Sequence, residues 1–93
     1  MTVQVLLPGA LAPLAGGARH LAVEPRGETL ADVLDALAAE HPTLTRRIRD
    51  ETGRVRRFVN VYVDGEDARF QGGLATKVRA GAEVHVLPSV AGG

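Results

Sequence analysis

The chain has 93 residues, a formal net charge of zero and no cysteine. This length fits one domain, and the neutral charge argues against nucleic acid or an anionic membrane as the main partner, because both attract basic surfaces. The missing cysteines exclude disulfides, thiolate zinc sites and cysteine-based catalysis. The chain lacks a basic N-terminal leader and an apolar run of about 20 residues, so we expect a soluble, cytoplasmic protein.

The first elements predicted are two strands and a helix. Residues 2–7 and 19–24 have β-branched or alternating patterns, and a loop rich in Pro and Gly separates them. Thr29 can cap a helix and Asp32 follows three residues later, a pattern close to a capping box, and Pro42 ends the helix. One apolar stripe is expected to face the core, formed by Leu30, Val33, Leu34, Leu37 and Ala38.

The second half predicts a strand-rich region. A polar segment, residues 43–57, has room for one short helix. A strand over residues 58–63 leads into a hairpin turn at Asp64-Gly65, and residues 66–70 are expected to return as a short strand. A single helical turn is expected near Leu74 and Val78. The last strand spans residues 82–87, and Pro88 stops it.

The order β, β, α, β, β, β predicts an α+β fold, a mixed sheet with one long helix packed on one face. The Val-rich first and last strands are expected to be central neighbours. Alternation along the strands divides their side chains between two faces. The core face is predicted to hold Val59, Val61, Val63, Val84 and Val86. The opposite face is predicted to hold Tyr62, His85 and Leu87.

No catalytic or metal constellation is visible. His20, His41 and His85 are far apart and lack the spacing of a metal motif, and Ser89 lacks the glycine elbow of a nucleophilic serine. Six arginines between residues 46 and 57 form a basic segment. A solvated face and a docking patch for an acidic partner are both compatible with that segment.

Gly-Gly occurs three times, and only the pair at Gly92-Gly93 ends the chain. An incidental tail is one interpretation. The other is that the tail enters a partner's active site: six extended residues reach about 20 Å, and glycine passes narrow channels. Such a partner would activate the terminal carboxylate with ATP, and sulfur would then replace the adenylate. Gly93 would therefore hold sulfur as a thiocarboxylate.

The stretch from Arg57 to the terminal "AGG" resembles the MoaD/ThiS family of ubiquitin-like sulfur carriers, and within it the CysO-type carriers of actinobacterial cysteine biosynthesis. The resemblance implies a ubiquitin-like β-grasp domain over residues 1–87 and a flexible carrier tail over residues 88–93. It assigns sulfur attachment to Gly93. The residues that enter partner active sites would be Pro88, Ser89, Val90, Ala91 and Gly92.

The resemblance also implies the partners. An E1-like enzyme would adenylate Gly93 with ATP, and a sulfur donor would convert it to the thiocarboxylate. A synthase that uses pyridoxal phosphate (PLP) would add this group to an aminoacrylate made from O-phosphoserine, and a metallopeptidase would release cysteine. The carrier itself would be no enzyme and would bind no cofactor or metal. Related carriers supply sulfur for molybdopterin, thiamin or sulfur-containing natural products.

Two further functions stay open at this point. The chain is compatible with a ubiquitin-like modifier joined to target lysines through the same glycine, and with a binding module whose tail is incidental. We further predict that Tyr62, His85 and Leu87, together with the tail from Pro88 onward, dock the activating enzyme. Ordinary exposed strand residues would have the same pattern.

Overall fold

The computed structural model describes residues 1–88, which form a five-stranded mixed sheet with helices on one face. The strands are β1 (Val3–Leu6), β2 (His20–Val23), β3 (Val59–Val63), β4 (Glu66–Asp67) and β5 (Glu83–Pro88). The helices are α1 (Leu30–Glu40) and α2 (Pro42–Ile48). Three short 3₁₀ turns span Ala12–Ala15, Ala68–Phe70 and Gly73–Ala75.

The sheet order is β2-β1-β5-β3-β4, and only the β1–β5 pair is parallel. The first and last strands are therefore central neighbours, as the sequence predicted. This arrangement is the ubiquitin-like β-grasp fold. Within residues 1–88, no helix has the length and apolarity that crossing a membrane would require.

The core lies between the sheet and α1. The predicted helix stripe is buried at Leu30, Val33, Leu34 and Leu37, whereas Ala38 is half-buried. On the sheet, four of the five predicted valines are buried. The fifth, Val59, packs only at the margin of the core because it is the first residue of β3, at the end of the sheet.

The capping box that begins α1 is confirmed. The Asp32 N–H donates to Thr29 Oγ1 at 3.2 Å, and the Thr29 N–H donates to Asp32 Oδ2 at 3.2 Å. Pro42 has a second role, because it is also the first residue of α2, where its missing N–H costs no helical hydrogen bond. The polar segment after Pro42 thus contains a helix, anchored by the buried Leu44 and Ile48.

Replacing Thr29 with Ala is expected to lower the free energy of unfolding by about 1 kcal/mol, because the Asp32 N–H loses its acceptor, Thr29 Oγ1. Thr43→Ala is the matched control, since Thr43 is exposed on α2. It should change stability by less than about 0.5 kcal/mol. Urea denaturation measures both, and equal effects of the two changes would contradict the capping role.

The predicted return strand over residues 66–70 is wrong beyond Asp67. Asp67 Oδ1 accepts a hydrogen bond from the Arg69 N–H at 2.9 Å, and this bond bends the chain into a 3₁₀ turn with Ala68 buried. The predicted helical turn near Leu74 is a single 3₁₀ turn, and the buried Val78 lies outside it.

Candidate functional site: the last strand and the open sheet face

The strand that leads to the C-terminus is held in the middle of the sheet. Val84 and Val86 of β5 are fully buried, and β5 pairs with β1 on one side and with β3 on the other. The tight turn between β3 and β4, at Asp64 with φ of 51° and Gly65 with φ of 85°, also holds the start of β5. The Asp64 N–H donates to Glu83 O at 2.9 Å, and the Glu83 N–H donates to Asp64 Oδ1 at 3.0 Å. Strand pairing on both sides and these bonds thus hold β5, the strand that leads into the tail, in place.

Pro88, the first residue of the predicted tail, is the last residue of β5 and lies opposite Val59. The other tail residues named in the sequence analysis lie outside the described residues. They are Ser89, Val90, Ala91, Gly92 and Gly93.

The structure brings together the three residues predicted to dock a partner. Tyr62 lies directly opposite His85 in the β3–β5 ladder, and Leu87 follows on the same face of β5. His85 is exposed, Leu87 is 39% exposed and Tyr62 is half-buried. We call the side of the sheet opposite α1, with these three side chains, the open face. It is adjacent to the point where the chain continues past Pro88.

One feature of the open face was missed by the sequence analysis. Asn60 lies opposite Leu87, and its Oδ1 is buried with no hydrogen-bond partner among residues 1–88. A buried acceptor without a partner costs free energy, so a donor brought to this position is favoured. The polar residue within a valine-rich strand was the visible signal. Its burial became apparent only from the packing around it.

Two exposed phenylalanines were also missed. Phe58 is 55% exposed and Phe70 is 85% exposed. Each is next to an arginine: the Arg57 guanidinium carbon lies 5.9 Å from the Phe58 ring centroid, and that of Arg69 lies 6.0 Å from the Phe70 ring centroid. With Tyr62 half-buried, none of the Phe and Tyr side chains, all of which lie within residues 1–88, is fully buried. No periodic pattern in the sequence indicated where these two rings would lie.

An ion pair between Arg69 and Asp67 lies at the β4 edge of the sheet, beside Tyr62. Arg69 Nη2 lies 3.0 Å from Asp67 Oδ2, and Asp67 faces Tyr62 across the β3–β4 ladder. The hydrogen bonds from the Arg69 side chain, and then from its N–H, lower the pKa of Asp67 below its ordinary value of 3.8. The pair therefore stabilises the fold above that value, and the stabilisation is lost as the pH falls through the lowered pKa.

The pKa of Asp67 is expected to rise towards its ordinary value in Arg69→Gln, because the strongest donor to the carboxylate is weakened. Arg57→Gln is the matched control, since Arg57 stacks over Phe58 instead. An NMR titration of the Asp67 carboxyl carbon gives both values. A midpoint that does not move in Arg69→Gln would contradict this assignment.

The arginine-rich segment is partly structural. Arg49 Nη1 lies 2.7 Å from Asp35 Oδ1, and Arg49 Nε donates to Gly53 O at 2.7 Å. Arg56 Nε donates to Arg46 O at 2.6 Å. These bonds tie the loop after α2 to the helices, whereas Arg46 and Arg57 extend from exposed positions.

The histidines form no metal site within residues 1–88, where no three metal-ligating side chains converge. His20 and His85 both lie on the open face, but Leu6 of β1 stands between them in the sheet.

Comparison with known proteins identifies relatives over the whole chain. The sequence profile of the ThiS family matches residues 5–93. The sulfur carrier protein CysO of Mycobacterium tuberculosis is 43% identical over 95 residues, with both chains fully covered. The small archaeal modifier protein 1 of Haloferax volcanii is 37% identical over 78 residues, which cover 83% of this chain and 85% of that protein.

Solved structures agree with this relationship. The crystal structure of the Amycolatopsis orientalis BexX/CysO complex contains a chain that superposes with a TM-score of 0.84 at 37% identity, covering 98% of this chain and 99% of that one. The crystal structure of Mycobacterium tuberculosis CysO gives a TM-score of 0.84 at 40% identity, covering 95% of this chain and 99% of that one. These matches confirm the resemblance seen in the sequence: the chain belongs to the ThiS family and has its ubiquitin-like β-grasp fold.

Proposed function

We propose that the chain is a sulfur carrier whose Gly93 is adenylated by an E1-like enzyme and then converted to a thiocarboxylate. The observation that carries this proposal is the 43% identity over the full length to a sulfur carrier protein. The family match also reaches residue 93, so it includes the terminal glycine pair. The test is the intact mass of the chain after incubation with the activating enzyme, ATP and a sulfur donor.

The chemistry follows from the carboxylate. A carboxylate oxygen of Gly93 attacks the α-phosphorus of ATP, and pyrophosphate leaves. A hydrosulfide equivalent from the donor then attacks the carbonyl carbon, and AMP leaves with the electrons of the C–O bond. Since the chain has no cysteine, its terminal carbonyl is where sulfur is held. ATP belongs to the activating enzyme, so the carrier is a co-substrate, binds no cofactor itself and contributes no acid or base.

The acceptor we propose is a PLP-dependent cysteine synthase that forms an aminoacrylate from O-phosphoserine. The thiocarboxylate adds to it, an S-to-N acyl shift leaves cysteine amide-linked to Gly93, and a metallopeptidase releases the product. The relation to CysO supports this pathway. The alternatives are acceptors in molybdopterin, thiamin or natural-product synthesis, which related carriers supply. We also propose that the chain acts in the cytoplasm.

The open face is the surface that we propose for docking the activating enzyme. It combines the exposed Leu87 and His85, the half-buried Tyr62 and the Asn60 Oδ1, which has no hydrogen-bond partner among residues 1–88. An exposed leucine beside an acceptor that has no partner among residues 1–88 favours a partner that brings an apolar side chain and one hydrogen-bond donor.

Leu87→Asp and Tyr62→Asp, each made separately, are expected to lower kcat/KM for adenylation by about tenfold or more, because a carboxylate would be desolvated in the interface. Thr43→Asp on the exposed surface of α2 is the matched control and should leave kcat/KM unchanged. Pyrophosphate exchange measures the rate, and circular dichroism checks folding. Unchanged kinetics in both folded variants would exclude this docking face.

A second candidate function is a protein modifier, joined to target lysines through Gly93. The 37% identity to a small archaeal modifier protein favours it. Blotting extracts of the source cells for a tagged chain separates the two functions: high-mass adducts that disappear when Gly93 is deleted would support a modifier. A single band of the carrier's own size would count against one.

A further inference from the structure

A groove lies at the β2 edge of the sheet. It has a volume of 720 Å³ and runs between β2 and α1. The small side chains Ala36 and Ala39 keep the helix surface low, and carboxylates from both elements line the groove. We call it the β2–α1 groove.

One wall of this groove is an unpaired sheet edge. In the sheet order β2 is terminal and pairs only with β1 within residues 1–88. The Leu7 N–H donates to Arg19 O at 2.8 Å, so Arg19, Leu21 and Val23 are the residues of this strand bonded to β1. The backbone N–H and C=O groups of His20 and Ala22 therefore point towards the free edge, and both residues are exposed. An extended chain can pair with them.

The groove concentrates negative charge on a chain that is neutral overall. Four carboxylates line it against the single cation Arg26. Two of them are engaged, since Asp32 caps α1 and Asp35 binds Arg49. The other two, Glu24 and Glu40, are exposed and form no ion pair within residues 1–88, and Glu24 Oε1 accepts only a long hydrogen bond of 3.4 Å from Thr2 Oγ1.

We propose that the β2–α1 groove docks an extended, lysine- or arginine-rich segment of a partner protein, which adds as a sixth strand beside β2. Backbone hydrogen bonds to His20 and Ala22 would supply affinity, and alternate side chains would supply specificity. Long basic side chains would lie along Ala36 and Ala39 and place their charges near Glu24 and Glu40. An acidic or purely apolar strand would lack these charge contacts.

The position of the groove gives the proposal its functional consequence. Ala22 lies opposite Gln4, and Gln4 lies opposite Glu83 at the start of β5. The tail leaves from the other end of this strand, five residues further on and about 16 Å away. A partner in the groove and an enzyme on the tail would therefore bind at the same time.

Titration of the isotopically labelled full-length chain with a capped alternating Lys-Val heptapeptide tests the proposal. We expect the largest amide shift changes at His20 and Ala22 and affinity that falls with added salt. Glu24→Gln and Glu40→Gln should each weaken binding by about two- to fivefold. Glu51→Gln, a matched change at an exposed residue outside the groove, should have no effect. A Glu-Val heptapeptide should not bind.

The same peptide with N-methyl groups on alternate backbone nitrogens separates strand addition from simple charge attraction, and it leaves the protein unaltered. Its binding should weaken at least about tenfold, because the N–H groups that pair with the edge are removed. Equal affinity of the methylated and unmethylated peptides would overturn the proposal. So would shift changes confined to Tyr62, His85 and Leu87, or no binding of the Lys-Val peptide at low salt.

Discussion

Deleting Gly93 is expected to abolish the gain of about 16 Da that accompanies replacement of one terminal oxygen by sulfur. The deletion leaves a carboxylate on Gly92, but one residue of extended chain, about 3.3 Å, is missing from its reach. An error of about 1 Å in the position of a reacting group costs about a hundredfold in rate. Since β5 fixes the base of the tail, the chain cannot recover this length by sliding.

The measurement is intact-protein mass spectrometry after incubation with the activating enzyme, ATP and a sulfur donor, followed by mapping of the terminal fragment. Ala91→Gly is the control, because it alters the tail but keeps its length and its terminal carboxylate. That variant should still gain about 16 Da. The sulfur-carrier proposal would be wrong if the Gly93 deletion gained sulfur as well as the full chain did.

Leu34→Ala is expected to lower the free energy of unfolding by about 2 to 5 kcal/mol. Leu34 is fully buried between α1 and the sheet, so the change removes apolar contacts and leaves a cavity. A domain of this size has a total free energy of unfolding of about 5 to 15 kcal/mol, so this single change would remove a large part of it.

Leu87→Ala is the matched control, since it removes the same atoms from a side chain that is 39% exposed. Its effect on stability should be less than about 1 kcal/mol. Guanidinium unfolding gives the midpoint and slope of each transition, and from these the free energies of unfolding of the two variants are compared. If the two variants lost equal stability, Leu34 could not be the core residue described, or the open face would be part of the core.

Patterns that repeat along the chain were predictable from the sequence. The stripe from Leu30 to Leu37 gave α1 its buried face, and the Thr29–Asp32 spacing gave its start. Alternation along β3 and β5 fixed which side chains share a face, so Tyr62, His85 and Leu87 were expected together. The Asp64-Gly65 turn was recognisable because both residues tolerate positive φ.

Features decided by single contacts were not predictable. Strand β4 stops after Asp67 because that side chain bonds to the next turn, and nothing in the pattern of residues 66–70 indicates this bond. Pro42 was recognised as the end of α1 but not as the start of α2, because proline is compatible with both positions. The β2–α1 groove was not foreseen because it depends on which strand occupies the edge.

The parallel pairing of β1 with β5 ties protein synthesis to folding. β1 is synthesised first, but it can join the rest of the sheet only after β5 is synthesised, because β5 lies between β1 and β3. On the ribosome, a nascent chain that ends before residue 83 has only the two separate pairs, β1 with β2 and β3 with β4. Contacts this distant in sequence form late and slowly. A product truncated before residue 83 therefore lacks both the terminal glycine and the complete five-stranded sheet, and every chain that completes the sheet contains the strand leading to that glycine.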